Sequence, residues 1–107
     1  MGDNMRIALD FDGVLCDLKG IIRGHDFSKC NPKENAGDAI HWLIKEGHKV
    51  WIFTSREEKE WEDIKDWLMK WGFPKLDITN IKKKATIYLD DRGVRFTNWP
   101  DFCKLLG

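Results

Sequence analysis

The chain has no apolar stretch close to the length that spans a bilayer, and it runs into Ile7 without the apolar core of a signal peptide. A membrane-spanning helix is excluded, and a cytoplasmic location is expected. Cysteine is scarce. Cys16, Cys30 and Cys103 are odd in number and widely spaced, with no Cys-x-x-Cys, which argues against a disulfide framework and against a zinc site and fits a reducing compartment. An excess of either charge is also missing: 18 Lys and Arg balance 18 Asp and Glu, so no overall field draws the protein to nucleic acid or to an anionic membrane. Nucleic acid then enters only as a substrate. A myristoylation signal would need Ser or Thr at position 6, where Arg6 stands. There is no internal repeat, low-complexity tract or linker, and 107 residues predict one domain, 1–107, around a single modest core.

What is present is an alternation of apolar strands and amphipathic helices. Residues 6–10 form a short strand, Ile7-Ala8-Leu9, that closes on Asp10-Phe11-Asp12-Gly13. From Gly13 to Cys30, glycines at 13, 20 and 24 break every period, which predicts a loop or small hairpin holding a loop histidine, His25, and a buried thiol, Cys30. Asn31-Pro32 reads as an N-cap and first turn, and Ala36, Ile40, Leu43 and Ile44 follow at helical spacing up to Gly47. Val50-Trp51-Ile52-Phe53 is a continuous apolar run of the kind found in a strand buried on both faces, and it ends at Thr54-Ser55-Arg56. A second helix is expected over about 55–71, capped by Thr54-Ser55 and stopped by Gly72. Trp61, Ile64, Leu68 and Trp71 would form its buried face, leaving Trp67 as an exposed contact. Next come a short strand near 76–78, the basic step Lys82-Lys83-Lys84, a strand over 86–89 ending in Asp90-Asp91, and a last helical turn or two over 100–106.

This β-α-β-α-β order predicts an α/β fold, a three-layer Rossmann-like parallel sheet with helices on both faces. Parallel strands share one carboxyl edge, so Asp10 with Asp12, Thr54 with Arg56, and Asp90 with Asp91 should converge there. Side chains two apart on a strand share a face, so Asp10 and Asp12 can serve one centre, one oxygen attacking while the other handles a proton or a metal. Two acids left unpaired at such a place are costly, and a divalent cation is the simplest remedy. Carboxylates grouped with a hydroxyl, a lysine and an arginine describe a magnesium site facing a phosphate. Thr54 offers a hydroxyl and a backbone N–H, and a lysine of the 82–84 step offsets charge on the transferred group. Arg56 offers either a fork of donors or an ion pair with Glu60 at helical spacing. Such a set suits phosphoryl transfer, in which positioning and electrostatics dominate.

Asp10-Phe11-Asp12-Gly13-Val14 resembles the first motif of the haloacid dehalogenase superfamily of phosphatases. Three further motifs follow in order: Thr54 after the apolar run at 50–53, a lysine of the 82–84 step, and Asp90-Asp91 after an apolar strand. The likeness spans residues 6–96. It implies a magnesium-dependent phosphatase in which Asp10 is the nucleophile that forms an aspartyl-phosphate and Asp12 is the general acid that later activates water. Thr54 and Lys82 complete the implied catalytic set, and Phe11, Ser55, Arg56 and Lys84 are expected on the phosphate side. The implied magnesium ligands are Asp10, the backbone carbonyl of Asp12, and the pair Asp90 and Asp91, with Asp91 favoured for direct coordination. Small members of the group show Lys-Pro-x-Ala before a Tyr-Ile-Asp-Asp-Arg segment. That spacing selects Lys82, with Lys83 in place of the proline, and leaves Lys84 as the competitor.

Relatives of this kind usually carry a cap domain, yet residues 14–30 suffice only for a small flap and 79–81 leave no room for an insertion. A capless member is implied, open to a phosphorylated small molecule or a macromolecular end, or covered by a neighbouring subunit through Trp67 or Trp99. Specificity is expected in segments 15–30 and 92–99. The functional alternatives are a general phosphomonoester phosphatase, a nucleotidase or polynucleotide 3′-phosphatase, and a non-catalytic phosphate-binding module of the same fold. Whether the protein is a monomer or a homo-oligomer stays open.

Overall fold

Alternation along the first strand sets the architecture. In β1 (Arg6–Leu9), Ile7 and Leu9 are buried on one face and Ala8 lies on the other; Phe11 continues the first set just beyond the strand. The computed structural model describes residues 4–17, 27, 30–90, 94–95 and 99–106, with backbone alone at 90, 94–95, 101–102 and 105–106. β1 is central, flanked by β2 (Lys49–Phe53) and β4 (Ile87–Asp90), with β3 (Ile78–Thr79) and β5 (Val94–Arg95) outermost. The order is β3-β2-β1-β4-β5, and every pair is parallel. Register aligns Ile7 with Val50 and Ile87, and Leu9 with Ile52 and Leu89. Three helices add their apolar faces to the same cluster: α1 (Ala36–Lys45) through Ile40 and Leu43, α2 (Trp61–Lys70) through Ile64, Trp67 and Leu68, and α3 (Trp99–Leu106) through Trp99. Each fully buried Leu or Ile contributes roughly 1.5–3 kcal/mol, so this cluster carries most of the fold's stability.

The parallel α/β, Rossmann-like sheet is thus as the sequence predicts, with its layers built unequally. The second face presents Ala8, Trp51 and Tyr88 in one row, and among the described residues no helix covers it. The connection between β3 and β4 crosses it instead. Lys83 Nζ stands 4.8 Å from the centre of the Trp51 ring and the Arg6 guanidinium 5.1 Å from it, while Lys82 Nζ stands 5.3 Å from the Tyr88 ring. The Tyr88 hydroxyl donates to the Lys83 carbonyl, and Arg6 Nε donates to the Lys84 carbonyl at 3.0 Å. This outer layer is therefore a strap of cations laid on aromatic rings. Right-handed crossovers put α1 and α2 on the same side as the chain steps from β1 to β2 to β3, and the return to β4 is too short to form a helix. Trp51 is buried beneath the strap, and among the described residues its indole N–H finds no hydrogen-bond partner.

Several local expectations are corrected. The first helix begins at Ala36, not at Asn31-Pro32, because 31–33 pairs with 15–17: Asp17 N–H donates to the Asn31 carbonyl and Lys33 N–H to the Leu15 carbonyl, both at 2.8 Å. Asn35 takes the N-cap position in a left-handed conformation, φ 66°. The second helix is preceded by a 3-10 turn, Glu58–Glu60, so Thr54-Ser55 does not cap it. Glu60 shapes that turn, accepting the Glu57 N–H at 3.2 Å. Trp67 is buried, not exposed, since 64, 67, 68 and 71 share the inner face and the C-terminal Trp71 is left 39% exposed. Ile44, at the margin of the inner face of α1, is 41% exposed, and Trp99 is fully buried, so neither Trp67 nor Trp99 is available to a neighbouring subunit. β5 is an element the sequence did not signal. His25 and most of the flap lie outside the described residues, among which no helix is long and apolar enough to cross a membrane.

Both long inner helices end in the same reciprocal arrangement. After α2, Gly72 N–H donates to the Met69 carbonyl at 3.1 Å and Phe73 N–H to the Leu68 carbonyl at 2.9 Å, with Gly72 at φ 76°. A side chain there is strained by the backbone, although a Cβ would meet nothing within 4 Å. Gly37, inside α1, has equally open surroundings and no such backbone demand. Gly72→Ala is expected to cost about 1 kcal/mol or more and Gly37→Ala to stabilise by about 0.5 kcal/mol, read from urea midpoints; equal effects would remove the backbone explanation.

Candidate functional site

The sheet order reverses between β1 and β4, and the crevice beyond the carboxyl ends of strands at such a switch point is where open α/β sheets bind ligands. Asp10 stands at that place. Its N–H donates to the Leu89 carbonyl at 3.0 Å, carrying the β1–β4 ladder one step past the strand, and its side chain enters a cleft of about 440 Å³. The cleft is lined by Asp10, Asp12, Ser55, Arg56, Glu57, Lys59 and Glu60, and its volume suits a small ligand or one end of a larger one. Four carboxylates against two cations give it an excess of negative charge.

Asp12 is held by Arg56. Nε donates to Oδ2 at 2.9 Å and Nη2 to Oδ1 at 2.8 Å, a two-pronged pair, while Nη1 donates to Glu60 Oε1 at 3.0 Å. Burial pulls the Arg56 pKa down, but the hydrogen bonds and charges of Asp12 and Glu60 outweigh it and hold the guanidinium above its ordinary value. Sequence spacing anticipated the Glu60 partner. The Asp12 partner, distant in sequence, it did not.

The remaining expected residues divide. Thr54 follows β2 at the same edge, buried, with its N–H on the Thr79 carbonyl at 3.0 Å and its Oγ accepting the Arg56 N–H at 3.1 Å. Ser55 is exposed on the cleft wall. Phe11 turns away: its ring is fully buried, meeting Phe27 at 5.0 Å and Trp67 at 5.1 Å between centroids, which leaves only its backbone to the phosphate side. Lys82 rides over Tyr88, which pairs with Ala8 on the face that Asp10 shares, whereas the Lys84 carbonyl is tied to Arg6 at the opposite end of β1. Asp90 ends β4 with only its backbone described, and Asp91 lies outside the described residues. Glu57 and Lys59 were missed; the turn ahead of α2, which aims them at the cleft, had been read as helix.

Among the described residues no group of three or more His, Cys, Asp and Glu side chains is placed to hold a metal. The Asp10 carboxylate and the Asp12 carbonyl are hard oxygen donors of the type magnesium takes, and the cleft's surplus of carboxylates favours a cation. Both Asp12 carboxylate oxygens accept from Arg56, and the ligand expected of Asp12 is its backbone oxygen.

Two tryptophans brace the loop beneath. Trp67 Nε1 donates to the Cys30 carbonyl at 3.0 Å and Trp99 Nε1 to the Val14 carbonyl at 3.2 Å, fixing both ends of the 14–30 segment. Cys16 and Cys30 are buried there. Burial pushes the Cys16 thiol far up, and its hydrogen bond to Cys30 and the nearby charge of Asp12 push the same way.

No known family's sequence profile matches the chain. A Bacillus cereus protein named "Putative nucleotidase" is 33% identical over 48 residues, which are 45% of this chain and 25% of that protein. The chain thus spans about a quarter of the length of the curated relative it matches. A solved structure of a conserved protein from Bacteroides thetaiotaomicron superposes with a TM-score of 0.77 over 97% of this chain and 90% of the other, at 21% identity. That likeness is one of fold.

Buried thiols are inert. An aromatic disulfide reagent is therefore expected to reach Cys16 and Cys30 only when urea is added, with partly buried Cys103 reacting first. Rapid labelling of all three in the folded protein would contradict the packing of the 14–30 segment.

Proposed function

We propose that the protein is a magnesium-dependent phosphohydrolase acting on phosphomonoesters through an aspartyl-phosphate on Asp10. The observation that carries this reading is the pairing of Asp10 and Asp12 at a cleft beyond the carboxyl ends of the strands, where the sheet order reverses. A carboxylate oxygen of Asp10 attacks phosphorus while Asp12 gives a proton to the departing oxygen; water then attacks the aspartyl-phosphate as Asp12 takes its proton. The Thr54 hydroxyl stands at the same edge to hold a phosphate oxygen, its N–H being given to Thr79, and Lys82 offsets the phosphate charge. Magnesium, held by Asp10, the Asp12 carbonyl and the Asp90-Asp91 pair, would supply further charge neutralisation. Within this class a nucleotidase is the favoured subclass, supported by the similarity to the Bacillus cereus protein.

Purified protein is expected to release nitrophenolate from p-nitrophenyl phosphate only with magnesium, and Asp10→Asn to reduce this to background. Turnover that survives Asp10→Asn would sink the covalent mechanism. A mononucleotide beside a 3′-phosphorylated oligonucleotide in the same assay separates the subclasses.

The two lysines give a second check. Lys82→Ala is expected to lower kcat by about 10²-fold or more, the order of one preorganised donor, and Lys84→Ala to leave it within about twofold. The reverse ranking would exclude Lys82.

A further inference from the structure

Among the described residues Arg56 is the only charged residue in the buried interior, 8% exposed. Both of its ends are fixed. Its main-chain N–H is on Thr54 Oγ at 3.1 Å and its carbonyl accepts the Trp61 indole N–H at 3.1 Å. At the other end the guanidinium lies 4.6 Å from the centre of the Phe27 ring, gives one nitrogen to Glu60, and turns its Nε–Nη2 edge to Asp12. That edge is one of the two forks by which an arginine binds phosphate in a two-pronged way, and Nη1 of the other fork is given to Glu60. Here the edge is occupied by a carboxylate of the protein.

We propose that Arg56 is a positioning residue that holds the Asp12 carboxylate in the orientation proton transfer requires, and is not a ligand of the transferred phosphate. The inference rests on the hydrolase reading. Each carboxylate oxygen has a lone pair beyond the one that Arg56 engages, so a clamped Asp12 still has a place for the proton it exchanges. In the first step the Asp10 oxygen–phosphorus bond forms, the bond from phosphorus to the leaving oxygen breaks, and the Asp12 proton passes to that oxygen. In the second, a water oxygen bonds to phosphorus, its proton returns to Asp12, and the Asp10–phosphorus bond breaks to free inorganic phosphate. Both proton transfers depend on where the Asp12 oxygens point. A carboxylate free to rotate loses that alignment, and misplacement by about 1 Å costs on the order of 10²-fold in rate. Phe27, which also meets Phe11, is part of the clamp.

The test uses leaving groups that differ in their need for a proton. Nitrophenolate departs as a stable anion, whereas the alkoxide of glycerol 3-phosphate must be protonated. Wild type, Arg56→Lys and Glu60→Gln are compared on both esters with magnesium, by stopped flow and at steady state, with thermal melts to establish folding. For Arg56→Lys, kcat on glycerol phosphate should fall about 10²-fold with KM within about threefold, while the initial burst of nitrophenolate keeps its rate within about threefold. Glu60→Gln, which loosens the clamp and removes none of its contacts with Asp12, should show the same selective loss on a smaller scale, and decides the matter if Arg56→Lys does not fold. A KM raised about tenfold or more on both esters with the burst equally slowed would make Arg56 a phosphate ligand and overturn the inference. Equal loss on both esters at unchanged KM would make its role structural and overturn it too. Wild-type protein that releases phosphate from neither ester would overturn the hydrolase reading, and this inference with it.

Discussion

The two-residue repeat of β1 is the constraint on which the rest depends. Because Ile7, Leu9 and Phe11 must be buried against the helices, Asp10 and Asp12 are turned to the other side at the strand's end. A shift of one residue in register would turn the two carboxylates toward the helices and take Ile7, Leu9 and Phe11 out of the helix-covered core, so the hydrophobic core and the position of the acids are one decision. Parallel pairing with β2 and β4 then brings Thr54 and Asp90 to the same edge without further instruction. The stability of the sheet and the aim of the reacting groups share a cause.

Features governed by neighbours in sequence were legible. The strand alternation, the stripe of α1 and the glycines that end both inner helices follow from short-range periodicity and backbone preference, and they emerge with boundaries shifted by a few residues. The misreadings came from competition that the sequence does not display. Asn31-Pro32 has the chemistry of a helix start but is claimed by pairing with Cys16 and its neighbours. A stripe through 61, 64, 68 and 71 leaves out Trp67, yet the inner face of α2 is wide enough to hold 67 beside 64 and 68, with Trp67 seated on Phe11 and Trp61 packed at the margin. Arg56 has two acids within reach, and only the folded chain reveals that the nearer one in sequence, Glu60, takes a single nitrogen while Asp12 takes two.

Around the cleft, rigidity is supplied by aromatic side chains with polar tips. Trp67 and Trp99 each bury a large ring in the common core and spend their single N–H on a carbonyl at one end of the 14–30 segment. The helices α2 and α3 thereby act on a loop that neither adjoins in sequence. Phe27 adds a third attachment from within that segment, resting on Phe11 and Arg56.

The strap between β3 and β4 has a consequence for how such a chain can diversify. Lys82, Lys83 and Lys84 belong to one short connection, in which Lys82, on the Tyr88 ring, is continuous with Lys83, which shields Trp51. An insertion in this stretch would uncover the second face of the sheet at the moment it displaced Lys82. New accessory structure is therefore better accommodated between Val14 and Cys30, whose carbonyls the two indole N–H groups hold whatever the length of chain between them, while the sheet stays covered.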